Sequence, residues 1–362
     1  MGTVGGTRAR VRDEIVRLTH RGLPVGEFAQ AVGAALGRVV PAEGTCLMTV
    51  DPATLLPTAE FVEEGLPADA LLRLVEIEVR EPDVNKWAQL ARADRPAASM
   101  SEATAGELDR SLRQREIRGP GGFADELRVV LGGSTGTWGE LTVFREAGRP
   151  YFTAADVQFV SSMAATIADG LRRGQLLGAA QAGADEVGVL VLDADDGLCM
   201  SNPAAQHWLD RLGAGDRPGA RLPVVVPAVT RQARGLCGRT PVDLRPASAR
   251  VRTTCGQWLI VRGSVMGDDA ASPVTVLIEP ARRAEMAPLM VAAYGLTDGE
   301  RRVTELVAHG LSTQQIATRL QVSTYTVQGH LKSIFTKSGT ASRGDLVARL
   351  FLDHHAVRLT SG

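Results

Sequence analysis

Residues 296–352 read LTDGERRVTELVAHGLSTQQIATRLQVSTYTVQGHLKSIFTKSGTASRGDLVARLFL, and the punctuation of this stretch decides how it folds. Thr297, Ser312, Ser323 and Ser342 each stand before an apolar run spaced at three and four, where a side-chain oxygen accepts from the free N–H groups of a first helical turn. Thr297 with Glu300 and Ser312 with Gln315 form capping boxes, and Ser342 with Asp345 is a shorter variant. Gly310 and Gly339 stand where a left-handed residue closes a helix. Four short helices are therefore expected. Only Gln321, Val322 and Ser323 separate the second from the third, the length of a helix-turn-helix connection.

The apolar sets expected to share one core are Val303, Leu306 and Val307; Ile316, Ala317 and Leu320; Val327, Leu331, Ile334 and Phe335; and Leu346, Val347, Leu350 and Phe351. With its core stripe removed, the third helix keeps Tyr325, Gln328, Gly329 and Lys332 as a polar strip with a small residue in the middle. Leu306 through Gly344 contains no Asp or Glu but does contain Arg319, Lys332, Lys337 and Arg343, which suits a polyanion whose phosphates carboxylates would repel. Of the three lysines in the chain, Lys86, Lys332 and Lys337, two fall in this one helix. The bland alternative is a four-helix unit with a mildly basic solvated face; the coincidence of turn length, caps and acid-free span weighs against it.

Leu296-Thr297, Glu300, Val303, Gly310-Leu311-Ser312, Ile316-Ala317, Leu320, Ser323, Thr326-Val327, His330, Ile334, Lys337 and Ser342-Arg343 together resemble the DNA-binding domain of LuxR-type (FixJ/NarL-type) transcription regulators. The resemblance implies that the third helix enters the major groove of double-stranded DNA and that the fourth helps the domain to form a homodimer. It implies DNA contacts from Arg319, Ser323, Thr324, Tyr325, Thr326, Gln328, Gly329, Lys332 and Lys337. Gln328 stands where the family often has lysine and Gly329 where it often has a larger residue, so base preferences do not carry over.

The chain has 362 residues, 44% of them hydrophobic, and a formal net charge of −1. That length fits two or three domains, and the near-zero charge leaves any polyanion site to local charge distribution. Cysteines 46, 199, 237 and 255 form no close pair, so neither a disulfide framework nor a thiolate zinc site is signalled, and a reducing cytoplasm is expected. Met1 to Leu18 carries charges too early for the apolar core of a signal peptide, and no run approaches the roughly 18 apolar residues of a membrane span.

In chain order, helices are expected around Val11 to Leu18 and Phe28 to Val40, and strands over Thr45 to Val50, Glu60 to Val62, Leu127 to Leu131 and Trp138 to Phe144. Ala70 to Val79 and Ser101 to Arg118 read mostly helical, and the Thr153–Asp156 capping box opens a long helix with Val157, Val160, Ala164, Ile167 and Leu171 on one face. This order, over roughly residues 20–175 and chiefly on Trp138 to Leu171, resembles a GAF sensory domain.

From Asp185 the strand Val187 to Leu192, the turn Asp193 to Gly197, the strand Leu198 to Ser201 and the helix start Asn202-Pro203-Ala204-Ala205 resemble the opening of a PAS domain, closed by strands Trp258 to Val265 and Val274 to Glu279. Its arginine-rich middle leaves the elements between open. Glu43 to Glu81 holds nine acids and Arg211 to Arg252 nine arginines; two separately solvated faces are favoured over docking of one on the other.

Catalytic and metal signals are thin. Outside residues 296–362 the only histidines are His20 and His207, so no histidine cluster can build a metal site and no Ser-His-Asp set is indicated. Cys46 and Cys199 read as small buried residues rather than redox sensors, and His207 as an ordinary helix residue rather than a haem ligand. No G-x-x-x-x-G-K-[ST] phosphate loop occurs.

The expected fold class is multidomain α+β: a GAF-like α/β sandwich over 1–180, a PAS-like antiparallel sheet with helices over 181–283, and a connector with an all-α four-helix LuxR-type helix-turn-helix over 284–362. The expected function is a cytoplasmic, sequence-specific transcription regulator controlled by an unknown small-molecule ligand or signal, with no cofactor, no membrane partner and no catalysis. Two alternatives stay open. An enzyme with its reaction in the GAF-like unit would show turnover in residues 1–180, and an adaptor using the helix-turn-helix to bind protein would give no nuclease protection of DNA.

Overall fold

The computed structural model describes residues 4–63, 68–133, 136–176, 186–213, 222–237, 246–282, 285–286, 289 and 294–351. Within them lie two five-stranded antiparallel sheets followed by a C-terminal helical region. One compact unit holds both sheets and ends at Pro280; the other begins at Ala281. Most of the expected connector over 281–294 lies outside the described residues.

In the first sheet, α1 (Val4–His20) and α2 (Val25–Gly37) precede β1 (Gly44–Val50) and β2 (Pro57–Glu63), and β3 (Ala97–Ser99), β4 (Phe123–Gly133) and β5 (Gly136–Glu146) complete the order β2-β1-β5-β4-β3. The long helix α6 (Ala154–Leu176) opens as its capping box requires: the Asp156 N–H donates to Thr153 Oγ1 at 3.2 Å, and Asp156 Oδ2 accepts the Thr153 N–H at 3.0 Å. Its apolar positions Val157, Val160, Ala164, Ile167 and Leu171 are all buried. Gly139 shows which face of β5 they meet, since a Cβ there would lie 2.5 Å from Leu171 and 2.7 Å from the Met48 carbonyl. Strand alternation then sends Trp138, Glu140, Thr142 and Phe144 to the opposite face. That face is covered by α3 (Ala68–Arg80), α4 (Trp87–Leu90) and the π-helical segment Gln114–Arg118, whose Arg118 lies 4.4 Å over the Phe144 ring.

The helix expected over 101–118 is broken into pieces. α5 (Met100–Ala103) is capped by Ser99 and ends where Ala105 and Gly106 take positive φ; a 3-10 turn (Leu108–Arg110) and the π-helical segment follow. The left-handed pair at 105–106 cannot continue a right-handed helix.

The second sheet has the order β7-β6-β10-β9-β8, with β6 (Gly188–Leu192), β7 (Leu198–Ser201), β8 (Ser248–Arg252), β9 (Trp258–Val265) and β10 (Val274–Pro280). Asn202 caps α7 (Pro203–Arg211), accepting the Ala205 N–H at 2.8 Å, with proline at the first helical position. α7 and α8 (Val225–Leu236) bury Trp208, Leu209, Val225 and Val229 against Leu190, Leu192, Val261 and Val276. β8 was hidden from pattern reading because its outer residues are Arg250 and Arg252, while Ala249 and Val251 enter the core. Cys199, expected to be buried, is exposed on the edge strand β7.

The acidic and arginine-rich segments are not two separate solvated faces. Asp51, at the end of β1 and 2% exposed, accepts the Arg250 backbone N–H at 2.7 Å, Arg250 Nε at 2.8 Å and Arg250 Nη2 at 2.6 Å. Glu76 of α3 meets Arg231 of α8 at 3.8 Å. A carboxylate this deeply buried needs a partner that supplies both charge and hydrogen bonds, and the second sheet provides it. No described helix is long and apolar enough to cross a membrane.

Candidate nucleic-acid interface

The C-terminal helices are α9 (Asp298–Ala308), α10 (Thr313–Leu320), α11 (Thr324–Ser338) and α12 (Arg343–Phe351). Their starts follow the sequence. Thr297 Oγ1 accepts the Glu300 N–H at 3.4 Å and Glu300 Oε2 accepts the Thr297 N–H at 2.7 Å; at Ser312 and Gln315 the two bonds are 3.3 and 2.8 Å. Ser342 Oγ accepts the Asp345 N–H at 3.1 Å, but the Asp345 carboxylate reaches the Ala341 N–H at 2.7 Å, one residue ahead of the cap. Gly310 and Gly339 have φ of 80° and 66°.

The tight turn between α10 and α11 closes on Gln321 at φ 55°, with the Val322 N–H bonded to the Ala317 carbonyl at 3.0 Å and the Gln321 N–H to the Thr318 carbonyl at 3.3 Å. This is a Schellman closure carried by a residue other than glycine. It fixes the angle of α11, which buries Val327, Leu331, Ile334 and Ser338.

On the outward side of α11, Tyr325 is 84% exposed and Gln328, Gly329 and Lys332 are exposed with it. Apart from its chain neighbours and the backbone of its own helix, no atom of the described residues lies within 4 Å of where a Gly329 Cβ would stand, leaving an unfilled notch between Gln328 and Lys332. Ser323 caps the helix through the Thr326 N–H at 3.0 Å, and its hydroxyl shares a bond with the Thr326 hydroxyl at 2.8 Å. Thr326 and Arg319 are exposed, and Thr324 is half-buried.

The four basic residues of the acid-free span divide into two pairs. Among the described residues, no carboxylate engages Arg319 or Lys332. Arg343 donates to the Leu311 carbonyl at 2.8 Å and to Thr313 Oγ1 at 3.1 Å, tying α12 to the start of α10. Lys337 Nζ donates to Glu300 Oε2 at 2.6 Å, and Glu300 Oε1 accepts Ser333 Oγ at 2.6 Å. Burial alone would push the Glu300 carboxyl up, but the bonds from Lys337, Ser333 and the Thr297 N–H outweigh it and hold the carboxyl at about 2. Counting acids along the chain missed this clamp, because Glu300 lies outside the counted span and the fold returns it to α11. The close approach of α9 is visible too at Gly299, where a Cβ would come within 3.1 Å of the His330 ring.

This capped three-helix core with an exposed polar face is a helix-turn-helix. Residues 295–350 match the family of bacterial regulatory proteins, luxR family, so the C-terminal unit is a LuxR-family helix-turn-helix domain. A protein of Aeromonas salmonicida, named by inference as an HTH-type transcriptional regulator in the exeN 3′ region, is 33% identical over 104 residues, 29% of this chain and 52% of that protein. One of Mycobacterium bovis, named in the same way, is 54% identical over 52 residues, 14% of this chain and 6% of that protein. The chain thus spans about half the length of the first relative and a small fraction of the second. Overlay on Escherichia coli SdiA covers 95% of this chain and 97% of that one at 9% identity, with a TM-score of 0.34, too low to carry over a fold or a ligand.

Proposed function

We propose that this chain is a sequence-specific DNA-binding transcription regulator, working in the cytoplasm without a cofactor or a catalytic step, whose DNA affinity answers to a signal received in its two-sheet half. The observation that carries the reading is the exposed strip of Tyr325, Gln328, Gly329 and Lys332 on α11, lacking a carboxylate and fixed by a tight turn. A major groove admits an α-helix, and glutamine can pair bidentately with adenine N6 and N7 while lysine takes guanine or phosphate. Gln328 reads a base in this account and Gly329 permits close approach. Lys332 and Arg319 supply charge, and Ser323, Thr324, Tyr325 and Thr326 contact the backbone at the helix start. Lys337, in contact with Glu300, acts on DNA through the placement of α11.

Within the two-sheet half the reading takes 1–180 as a GAF-like module and 181–283 as a PAS-like one, with 284–362 as the DNA-binding part acting as a homodimer. A coupling of about 1–3 kcal/mol between signal and DNA would be typical. Nuclease protection of random genomic fragments by the full chain tests the reading: discrete protected sites are expected, and uniform digestion at protein concentrations that saturate non-specific binding would refute it.

A further inference from the structure

The face of the first sheet turned away from α6 carries charges where a core would carry apolar groups. Arg113 donates to Asp83 at 3.0 Å and to Glu126 at 2.7 Å, Arg118 to Glu126 at 2.7 Å, and Arg128 to Glu78 at 2.9 Å. Three guanidinium groups therefore meet the three carboxylates Asp83, Glu126 and Glu78, and the set is balanced. Burial would push the Glu126 carboxyl up, but Arg113, Arg128 and Arg118 together hold it far below the usual carboxylate range.

A fourth carboxyl on this face has no such partner. Glu140 is 3% exposed, and no described residue donates a hydrogen bond to it. Thr142, two residues further along β5 on the same face and also 3% exposed, makes no side-chain hydrogen bond with a described residue. Burial pushes the Glu140 carboxyl well above its ordinary range; Glu78 adds to the push and Arg128 opposes it. A carboxyl this deeply placed, with no described donor, is uncommon in a native protein.

The surroundings say what kind of partner fits. In the strand register Met48 lies opposite Glu140, with Glu60 of β2 on its other side. Met48 packs with Trp87, Leu90 and Val130. An anion would meet Glu78, Glu140 and Glu60, and the spare buried N–H groups on this face, Arg118 Nη1 and Arg128 Nε, belong to guanidiniums already set on Glu126 and Glu78. No group of His, Cys, Asp and Glu among the described residues could hold a metal ion. An apolar wall beside an unpaired carboxyl suits a cation that carries carbon.

We propose that this face of the first sheet binds a small organic cation, its ammonium or amidinium nitrogen seated on the Glu140 carboxylate with Thr142 Oγ1 as a second acceptor. This rests on the reading of the two-sheet half as a sensor and names its ligand class. On binding, Glu140 gives its proton to bulk water and exchanges a buried neutral acid for a buried ion pair. Affinity then rises with pH until Glu140 ionises in the free protein. Glu78 of α3 and Arg128 of β4 act on it directly; Cys46 of β1, whose thiol is pushed up to about 12 by burial and stays protonated, faces it as well, with Glu60 of β2 and Arg118 of the π-helical segment acting on Cys46.

The test is thermal unfolding of the full chain with phenethylamine, tyramine, histamine and agmatine, and with the uncharged alcohols corresponding to the first two. At least one amine is expected to raise Tm, more at about pH 8 than at about pH 6, while the alcohols do not. Glu140→Gln is expected to abolish the shift and Thr142→Val to weaken it, with the ligand-free Tm of Glu140→Gln unchanged or higher. A lower ligand-free Tm in Glu140→Gln would make the residue structural and overturn the proposal. So would an equal shift from the alcohols, or no shift from any amine. The readout contains no DNA, so its failure leaves DNA binding by α11 standing.

Discussion

The helical unit and the inner face of the first sheet use charge in opposite ways. On α11 the strip residues Gln328 and Lys332 are exposed, and among the described residues neither Lys332 nor Arg319 meets a carboxylate. On the sheet face Arg113, Arg118 and Arg128 are almost wholly buried and each is matched to a carboxylate. Exposed charges without partners cost little to the fold and remain available to a polyanion. Buried ones must be matched within the chain, so the carboxyl left over, Glu140, is the informative one. Where polar groups face outward the exposed set marks a site; where they face inward the unmatched one does.

The largest expected effect breaks the matched set. Glu126→Gln removes the carboxylate shared by Arg113 and Arg118 and leaves buried guanidinium charge, at a cost of about 3–5 kcal/mol. Denaturant unfolding followed by tryptophan fluorescence should show the two-sheet unit melting early, and a loss below about 1 kcal/mol would mean that water reaches the set.

The next effect belongs to the Glu300 clamp. Glu300→Gln and Lys337→Met should each cost the helical unit on the order of 2 kcal/mol, allowing for the partial exposure of Lys337, and the double variant little more than either. Additive losses would show that the two do not act together. A carboxyl depressed in the folded state stabilises above its unfolded value and loses that contribution as pH falls towards the folded one. The clamp should therefore hold at neutral pH and weaken between 4.5 and about 2. Helical circular dichroism against pH checks this: wild type should lose stability across that window, and Glu300→Gln should show a flatter profile.

A smaller effect distinguishes stability from approach to DNA. Gly329→Ala should stabilise the domain by roughly 0.5–1 kcal/mol, because glycine is a poor helix former and the notch is empty. The same change should weaken DNA binding if that notch admits the groove wall. A variant both more stable and equally tight would remove Gly329 from the interface.

The helical unit was largely legible in its sequence because caps, glycine closures and three–four spacing are local signals. What it hid was a left-handed Gln321 and the return of Glu300 to Lys337. The sheets were legible as strands, but their faces were not. An alternating run such as Trp138 to Phe144 shows that Glu140 and Leu141 point to opposite sides, and only the packing of Leu171 against Gly139 shows which side each takes. β8 was lost because its outward arginines disguised a strand, and the Asp51–Arg250 pair, 199 residues apart, has no local signal.

The central claim is that α11 reads DNA through Gln328 while Lys332 supplies charge. Affinities of wild type, Gln328→Ala, Lys332→Ala and Lys337→Ala over a randomised operator, at several salt concentrations, test it most directly. Gln328→Ala should relax preference at one operator position by about 1–3 kcal/mol with the salt dependence nearly unchanged. Lys332→Ala should weaken binding and, where its contact is phosphate, lower the salt slope by about one, whereas Lys337→Ala should leave the slope alone. Wild-type base preference in Gln328→Ala, or a slope lowered equally by Lys337→Ala and Lys332→Ala, would contradict the account.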